Sequence, residues 1–235
     1  MWKRGKRISY GMWLWEKLFM QDFYVVTGMV ISQMPVGEFD RRVCILTREK
    51  GKITAFAKGA RRPGSKFMAA TNPFSFGKFK LYEGKSSYNI MEVDISRYFE
   101  ELRQDYIGAY VGMYFLEVAD YYTRENNDEK EMLKLLYQSL RALEHPAIPK
   151  RLVQYVFEIK SLVVNGEYPG APKDVTLQES TVYALQFIAA TPVEKLYTFT
   201  VKEDILKELG MVAQEYRSRF MDRQFKSLQI LETLY

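Results

Sequence analysis

The chain has 235 residues, of which 47% are hydrophobic and 27% charged, an ordinary composition for a globular protein with a real hydrophobic core. Its formal net charge is +5, and its single cysteine (Cys44) and single histidine (His145) exclude a disulfide framework and a Cys-rich zinc site. No apolar run approaches the roughly 18 residues that a membrane-spanning helix requires, so a membrane is not expected as a partner.

Residues 1–20 are an N-terminal extension that we leave out of the fold prediction. They begin with basic residues, and their apolar run is interrupted by Glu16 and Lys17. No small-residue cleavage site follows, so a signal peptide is not predicted. Two alternatives stay open: a mis-assigned start with Met20 as the initiator, or a basic amphipathic arm that touches DNA or lipid.

Residues 21–96 have the pattern of a small β-domain. Alternating apolar and polar residues rich in Val, Ile and aromatics predict five short strands. Gly51 closes a predicted hairpin between the second and third strands. Because closure removes exposed strand edges, the pattern favours a small barrel. The predicted strands cover residues 24–34, 41–48, 52–58, 74–82 and 88–95.

Positive charge is concentrated in this part of the chain. Residues 37–67 contain nine Lys or Arg and three acids, and residues 1–97 contain 18 Lys or Arg and 8 Asp or Glu. The remainder has 16 Lys or Arg and 21 Asp or Glu. Cations on a rigid scaffold suit a polyanion, because each contacted phosphate releases counterions. The alternative is a solvated, positively charged sheet face without a ligand.

Residues 97–235 have the pattern of a helical domain. Apolar residues recur with helical spacing, and Pro146, Pro149 and Gly166 separate the segments. The fold class predicted is therefore α+β, with an all-β domain followed by an all-α domain. The predicted helices cover residues 102–122, 127–143, 150–165, 181–190, 201–220 and 223–233.

Motifs of catalysis are missing from the sequence. It contains no phosphate-binding loop, no dinucleotide fingerprint and no Gly-x-Ser-x-Gly nucleophile motif. Acid pairs such as Glu100-Glu101 fit exposed helix faces better than a catalytic pair. We therefore predict a binding protein that is not an enzyme and has no catalytic residues, metal or cofactor.

Several short motifs, in this order and spacing, resemble the RecO family of bacterial DNA repair and recombination mediators. The resemblance covers residues 23–235. It is carried by residues 37–40 (GEFD), 47–51 (TREKG), 57–66 (AKGARRPGSK) and 72–74 (NPF), and further along by 183–191, 195–197 and 225–228.

The resemblance implies an N-terminal OB-fold barrel that binds single- and double-stranded DNA, and a helical C-terminal domain. It implies annealing of complementary strands and, with the partner RecR, loading of RecA onto DNA covered by single-stranded-DNA-binding protein (SSB), whose acidic C-terminal tail is bound. A cytoplasmic, nucleoid-associated location follows. Many relatives carry a four-cysteine zinc site after the motif that reads here Gly166-Glu-Tyr-Pro169. This chain has no cysteine there, so a helical domain without zinc is expected.

Ten cations are the candidate DNA-backbone contacts. Arg61 and Arg62 lead, because Gly59 and Gly64 on either side let a phosphate approach closely. Contacts from point charges to phosphates predict weak sequence preference. The ten are Arg41, Arg42, Lys50, Lys52, Lys58, Arg61, Arg62, Lys66, Lys78 and Lys80.

Other roles are less specific. Phe39 and Phe67 are the best base-stacking candidates, whereas Phe56, Phe74, Phe76 and Tyr82 are assigned mostly to the core. For the SSB tail, a cation beside an apolar slot is needed, and Lys150, Arg151, Lys195 and Lys226 are candidates without a ranking. The alternative function is an OB-fold RNA-binding protein with a helical interaction domain. A nuclease would need clustered carboxylates, and the basic domain has few acids.

Overall fold

The N-terminal part of the chain forms a closed β-barrel. A computed structural model describes residues 23–84 and 87–234, so the predicted extension over 1–20 lies outside the described residues. The strands are β1 (Phe23–Val36), β2 (Asp40–Thr47), β3 (Gly51–Ala57), β4 (Phe76–Glu83) and β5 (Tyr88–Arg97). Their order around the barrel is β1-β2-β3-β5-β4, with β4 returning to β1. All pairs are antiparallel except β3 with β5.

The long first strand closes the barrel by serving two neighbours. The first half of β1 pairs with β4 and the second half with β2. A bulge between Val30 and Ser32 interrupts the register with β2. Bulges bend a strand and change which way side chains point. Successive side chains of a strand point to opposite faces, so Val30 lies in the barrel core and the adjacent Ile31 packs with the helical part.

The chain beyond the barrel is helical, as predicted, and the fold is the five-stranded OB barrel followed by helices. Two short helices, α1 (Phe67–Ala70) and α2 (Glu100–Gln104), were not predicted separately because four or five residues are too few to show a helical period. The helices are α1 (Phe67–Ala70), α2 (Glu100–Gln104), α3 (Tyr106–Tyr122), α4 (Lys130–Leu143), α5 (Lys150–Val164), α6 (Glu179–Ala190), α7 (Glu203–Phe220) and α8 (Lys226–Leu234), with a 3-10 turn at Val193–Lys195.

The barrel and the helices share a continuous apolar contact. Met29, Leu46 and Phe74 come from the barrel side, are almost fully buried, and belong to the same core as helices α3 to α8. Gly112 in α3 leaves room for this contact, since a Cβ there would come within 3.1 Å of the Phe74 ring. The ring of Phe76 packs against Tyr137 of α4 at 4.6 Å between centroids.

Polar contacts cross the same junction. Lys52 of β3 places its Nζ 3.0 Å from an Asp120 carboxylate oxygen, and Arg223 donates to the other oxygen at 3.1 Å. Burial by itself raises the pKa of Asp120, but the hydrogen bonds from Lys52 and Arg223 hold it below its usual value. Arg97, at the end of β5, pairs with the buried carboxylate of Glu144.

The Asp120 contact predicts an acid-sensitive contribution to stability. Asp120→Asn should lower the free energy of unfolding at neutral pH by about 1 kcal/mol, because the ion pairs to two cations are lost. Since the folded pKa is depressed, the contribution is present above the usual value of 3.8 and is lost as the pH falls below it. Urea unfolding at several pH values measures this, with the exposed Asp94→Asn as the control. An equal deficit at neutral and acid pH would contradict the assignment.

The loop after Gly166 lacks the cysteines of a four-cysteine zinc site. Residues 168–175 contain no Cys or His, and their anchor is the Tyr216 hydroxyl, which donates to the carbonyl of Gly170. The rings of Tyr168 and Tyr216 pack edge to face beside it. A zinc site does not fit these residues. Within residues 23–84 and 87–234, no group of three His, Cys, Asp or Glu is placed to hold a metal ion.

None of the helices among the described residues is long and apolar enough to cross a membrane.

Candidate nucleic-acid interface

A basic loop closes one end of the barrel after β3. Gly59 and Gly64 have φ angles of +65° and +76°, which side-chain-bearing residues rarely adopt, so glycine is needed at both turns. Between them Ala60 is fully buried against the barrel core, while Arg61 and Arg62 are exposed. The loop therefore packs the Ala60 methyl group against the barrel core and exposes the guanidinium groups of Arg61 and Arg62 to solvent.

The loop is tied to the turn between β1 and β2. The carboxylate of Asp40 accepts a hydrogen bond from the Gly59 amide at 2.7 Å. The Arg61 amide donates to the Phe39 carbonyl at 2.8 Å, and the Arg61 guanidinium donates to the Gly37 carbonyl at 3.2 Å. These contacts explain why the sequence motif at 37–40 and the one at 57–66 occur together: they form one structure.

Five of the predicted cations lie together at this end and are exposed. Arg42 lies opposite Phe56 in the β2–β3 ladder and points outward, and Lys58 follows on the same outer face by strand alternation. Arg61, Arg62 and Lys66 belong to the loop. Within the described part of the chain, none of the five forms a salt bridge. We call this set the cationic end: Arg42, Lys58, Arg61, Arg62 and Lys66.

Aromatic rings accompany these cations. The guanidinium of Arg62 lies 5.1 Å from the Phe39 ring centre, and Phe39 is 38% exposed at the tip of the turn. Phe67 is half-buried against the barrel core, with the Lys66 ammonium 5.2 Å from its ring. Phe56 is half-buried on the outer sheet face, and Phe74 is buried. Phe39 is thus the most accessible of the predicted stacking candidates.

Arg41 adjoins the cationic end, but its contacts are internal. Its guanidinium donates to the Met68 carbonyl, to the Thr71 hydroxyl and to the Asn72 side-chain oxygen, at 2.8 to 3.0 Å. Burial, followed by the nearby charge of Arg61, lowers the pKa of Arg41. The structure therefore gives Arg41 the role of holding α1 and the segment after it in place.

Two further predicted cations lie at the opposite end of the β2–β3 hairpin. Lys52 is engaged with Asp120 in the junction described above. Lys50, in the hairpin turn, lies over the Tyr24 ring at 3.8 Å and near the Tyr88 ring at 5.4 Å. The hairpin ladder is seven pairs long, which at ~3.3 Å per residue puts Lys50 about 20 Å from the cationic end.

Lys78 and Lys80 occupy the outer face of β4, beside acids. Lys80 pairs with Glu92 of β5 at 3.4 Å, and Lys78 lies opposite Asp94 in the ladder. The charge of this face is therefore largely balanced. The ten predicted cations do not form one surface, and the five of the cationic end are the group that the fold brings together.

A second candidate site lies in the helical part, between α5, α7 and α8. It is a cavity of about 480 Å³ with an apolar wall of Tyr155, Met211, Leu228 and Leu231. Two cations, Lys207 and Arg217, and one acid, Glu232, line the same cavity, and Glu232 lies 3.6 Å from the Arg217 guanidinium. We call it the helical cavity.

The Arg217 guanidinium is fixed from behind by a buried acid. Its nitrogen lies 3.0 Å from the Glu158 carboxylate, whose side chain is 2% exposed, and Gln154 donates to the same oxygen at 3.1 Å. Burial lowers the pKa of Arg217, but the charge of Glu158 more than compensates and leaves it above its usual value. The guanidinium at the cavity wall is therefore a permanent cation, paired with Glu158 behind it and with Glu232 at the cavity.

Neither cation of this cavity is among the four candidates predicted for the acidic tail. Of those four, Lys150 pairs with Asp105 at 2.8 Å, and none lines the cavity. Lys207 and Arg217 are ten residues apart on one helix, and the apolar slot beside them forms only where α5, α7 and α8 meet around the cavity.

The strand order and the cationic end define an OB-fold barrel protein whose second half is a helical unit with its own cavity. The family model described as "Recombination protein O N terminal" matches residues 20–99, and the one described as "Recombination protein O C terminal" matches residues 103–175. The chain belongs to the RecO family of DNA repair proteins.

Three curated relatives, each named DNA repair protein RecO, illustrate the similarity. The relative from Acetivibrio thermocellus is 26% identical, over 91% of this chain and 98% of the relative. The relative from Clostridium novyi is 27% identical, over 91% of this chain and 95% of the relative. The relative from Symbiobacterium thermophilum is 34% identical over 62% of this chain and 58% of the relative.

Proposed function

We propose that this DNA repair protein is a recombination mediator that binds single- and double-stranded DNA through its cationic end and anneals complementary strands. With RecR it would help to load RecA onto SSB-covered DNA. The observation that carries the proposal is the cationic end itself, five exposed cations on one rigid barrel end with no salt bridge among the described residues. Its location would be the cytoplasm, with the nucleoid.

The mechanism we propose is binding without bond cleavage. Lys and Arg side chains neutralise phosphates and release their counterions, which supplies affinity without sequence preference. Two strands with reduced charge repel each other less, so that pairing is faster. Neither a cofactor nor a catalytic residue takes part. Nothing in the barrel discriminates against RNA, and the DNA repair relatives favour DNA as the polymer.

We further propose that the helical cavity takes the acidic C-terminal tail of SSB. A terminal apolar side chain would enter the slot formed by Met211, Leu228 and Leu231, and the acidic groups would meet Lys207 and Arg217. Charge favours this cavity, whose lining has the cations Lys207 and Arg217 and the acid Glu232, over the larger one of about 630 Å³ between α6 and α7. That larger cavity is lined by the acids Glu179 and Asp204 and the cation Lys202.

Annealing of SSB-coated complementary strands tests both parts. The protein should accelerate annealing, and the acceleration should vanish at high salt, because the phosphate contacts are screened. Lys207→Glu should abolish the acceleration on SSB-coated strands and leave that on naked strands unchanged. The matched control is Lys195→Glu, an exposed cation outside the cavity. The readout is fluorescence energy transfer between labelled strands, with intact and tail-deleted SSB.

Two results would contradict the proposal separately. Tight DNA binding without any acceleration of naked-strand annealing would remove the annealing function. Equal acceleration by wild type and Lys207→Glu on SSB-coated strands would remove the helical cavity as the tail site and leave the DNA-binding part standing.

A further inference from the structure

An exposed pair of tyrosines stands at the start of α3, outside the cationic end. Tyr106 is 60% exposed, and its ring packs edge to face with Tyr110 at 5.0 Å between centroids and 72° between planes. Tyr110 is itself packed against the helical core. The Tyr106 ring is thus held in place from one side and open to solvent on the other.

One segment of the chain links this pair to the cationic end. Arg41 donates to the side chain of Asn72, and Arg103 of α2 donates to the carbonyl of the next residue, Pro73, at 3.3 Å. The segment follows α1, which begins directly after Lys66. The surface therefore continues from Lys66 over the Asn72–Pro73 segment to Arg103, three residues before Tyr106.

The charge of this continuation differs from that of the cationic end. Glu100 and Glu101 are exposed on α2, Arg103 is exposed beside them, and Asp105 is paired with Lys150 at 2.8 Å. The surface around Tyr106 is not positive overall. Any contribution to nucleic-acid binding here must come from the ring, not from phosphate neutralisation.

We propose that Tyr106 is a base-stacking platform for single-stranded DNA that extends beyond the cationic end. The inference rests on the proposed function, because the strand is held first by the cationic end. A fixed, open aromatic ring on the surface that continues from a phosphate-binding end is an arrangement on which bases of single strands stack. A stacking contact adds affinity without releasing counterions, so it leaves the salt dependence unchanged.

Binding of labelled oligo(dT) of two lengths tests the proposal. A short strand should occupy only the cationic end, and a long strand should also reach Tyr106. Tyr106→Ala should lower the affinity for the long strand by at least about fivefold, the lower limit expected for one base–aromatic contact. It should leave unchanged both the affinity for the short strand and the slope of log affinity against log salt. Tyr106→Phe keeps the ring and should bind as the wild type does.

The controls separate this proposal from the proposed function. Tyr183→Ala removes a tyrosine that is 68% exposed on α6, and should leave the binding of both strands unchanged. If Tyr106→Ala binds the long strand as tightly as the wild type does, while removal of Arg61 and Arg62 weakens binding, the stacking platform alone is overturned. Unchanged binding in both variants would overturn the cationic end and the platform together.

Discussion

Replacing Arg61 and Arg62 together by alanine is expected to cause a large loss of DNA affinity. Each exposed cation that contacts a phosphate contributes about one unit to the slope of log affinity against log salt. The double variant should therefore reduce that slope by about two units and weaken binding at least tenfold at low salt. Fluorescence anisotropy titrations of a single strand and of a duplex across a salt series measure both quantities.

A charge-matched control makes the result specific. Lys78→Ala with Lys80→Ala removes the same formal charge from the outer face of β4, where Glu92 and Asp94 already balance it. This control should change the salt slope by less than one unit. Equal losses in the two double variants would mean that net charge, and not the cationic end, governs binding. No change in the Arg61 and Arg62 variant would show that the loop is not the site.

The strands and helices were predictable because their signals are local. Apolar and polar residues alternate along β2 and β3, and a glycine lies in the turn between them. These signals predict the bounds of the hairpin to within a residue or two of the observed ones. Helix α5 ends just before Gly166 and helix α6 ends at Ala190, where the sequence predicts their ends. The four-residue α1 was missed, because one turn of helix has no period to detect.

The grouping of the site residues was less predictable because it depends on distant contacts. Lys52 and Lys58 both belong to the predicted strand 52–58, yet Lys52 reaches Asp120, 68 positions away, and Lys58 is exposed without a salt bridge among the described residues. Arg41 and Arg42 are neighbours, and strand alternation sends one inward to Thr71 and the other outward. The density of positive charge in the sequence indicated which domain carries the candidate site. Which cations are exposed together is decided only when the strands close into the barrel.

Arg217→Met is expected to produce the largest loss of stability in the helical part. The substitution would leave the carboxylate of Glu158, which is 2% exposed, without its cation. Removing one partner of a buried ion pair costs about 3–5 kcal/mol, because the remaining charge stays desolvated and uncompensated. Urea unfolding monitored by circular dichroism measures the loss. The exposed Lys207→Met, on the same helix, should change stability by less than about 0.5 kcal/mol.

A double variant tests the cause of that loss. Glu158→Met with Arg217→Met replaces the pair by apolar side chains of similar volume, and buried pairs replaced in this way often lose nothing. The double variant should therefore recover most of the stability that Arg217→Met loses, while still lacking the cation proposed to hold the acidic tail of SSB. It should unfold close to the wild type and bind an acidic peptide with an apolar C-terminal side chain weakly. A double variant as unstable as Arg217→Met would show that the buried charge is not the cause, and one that bound the peptide normally would remove Arg217 from the tail site.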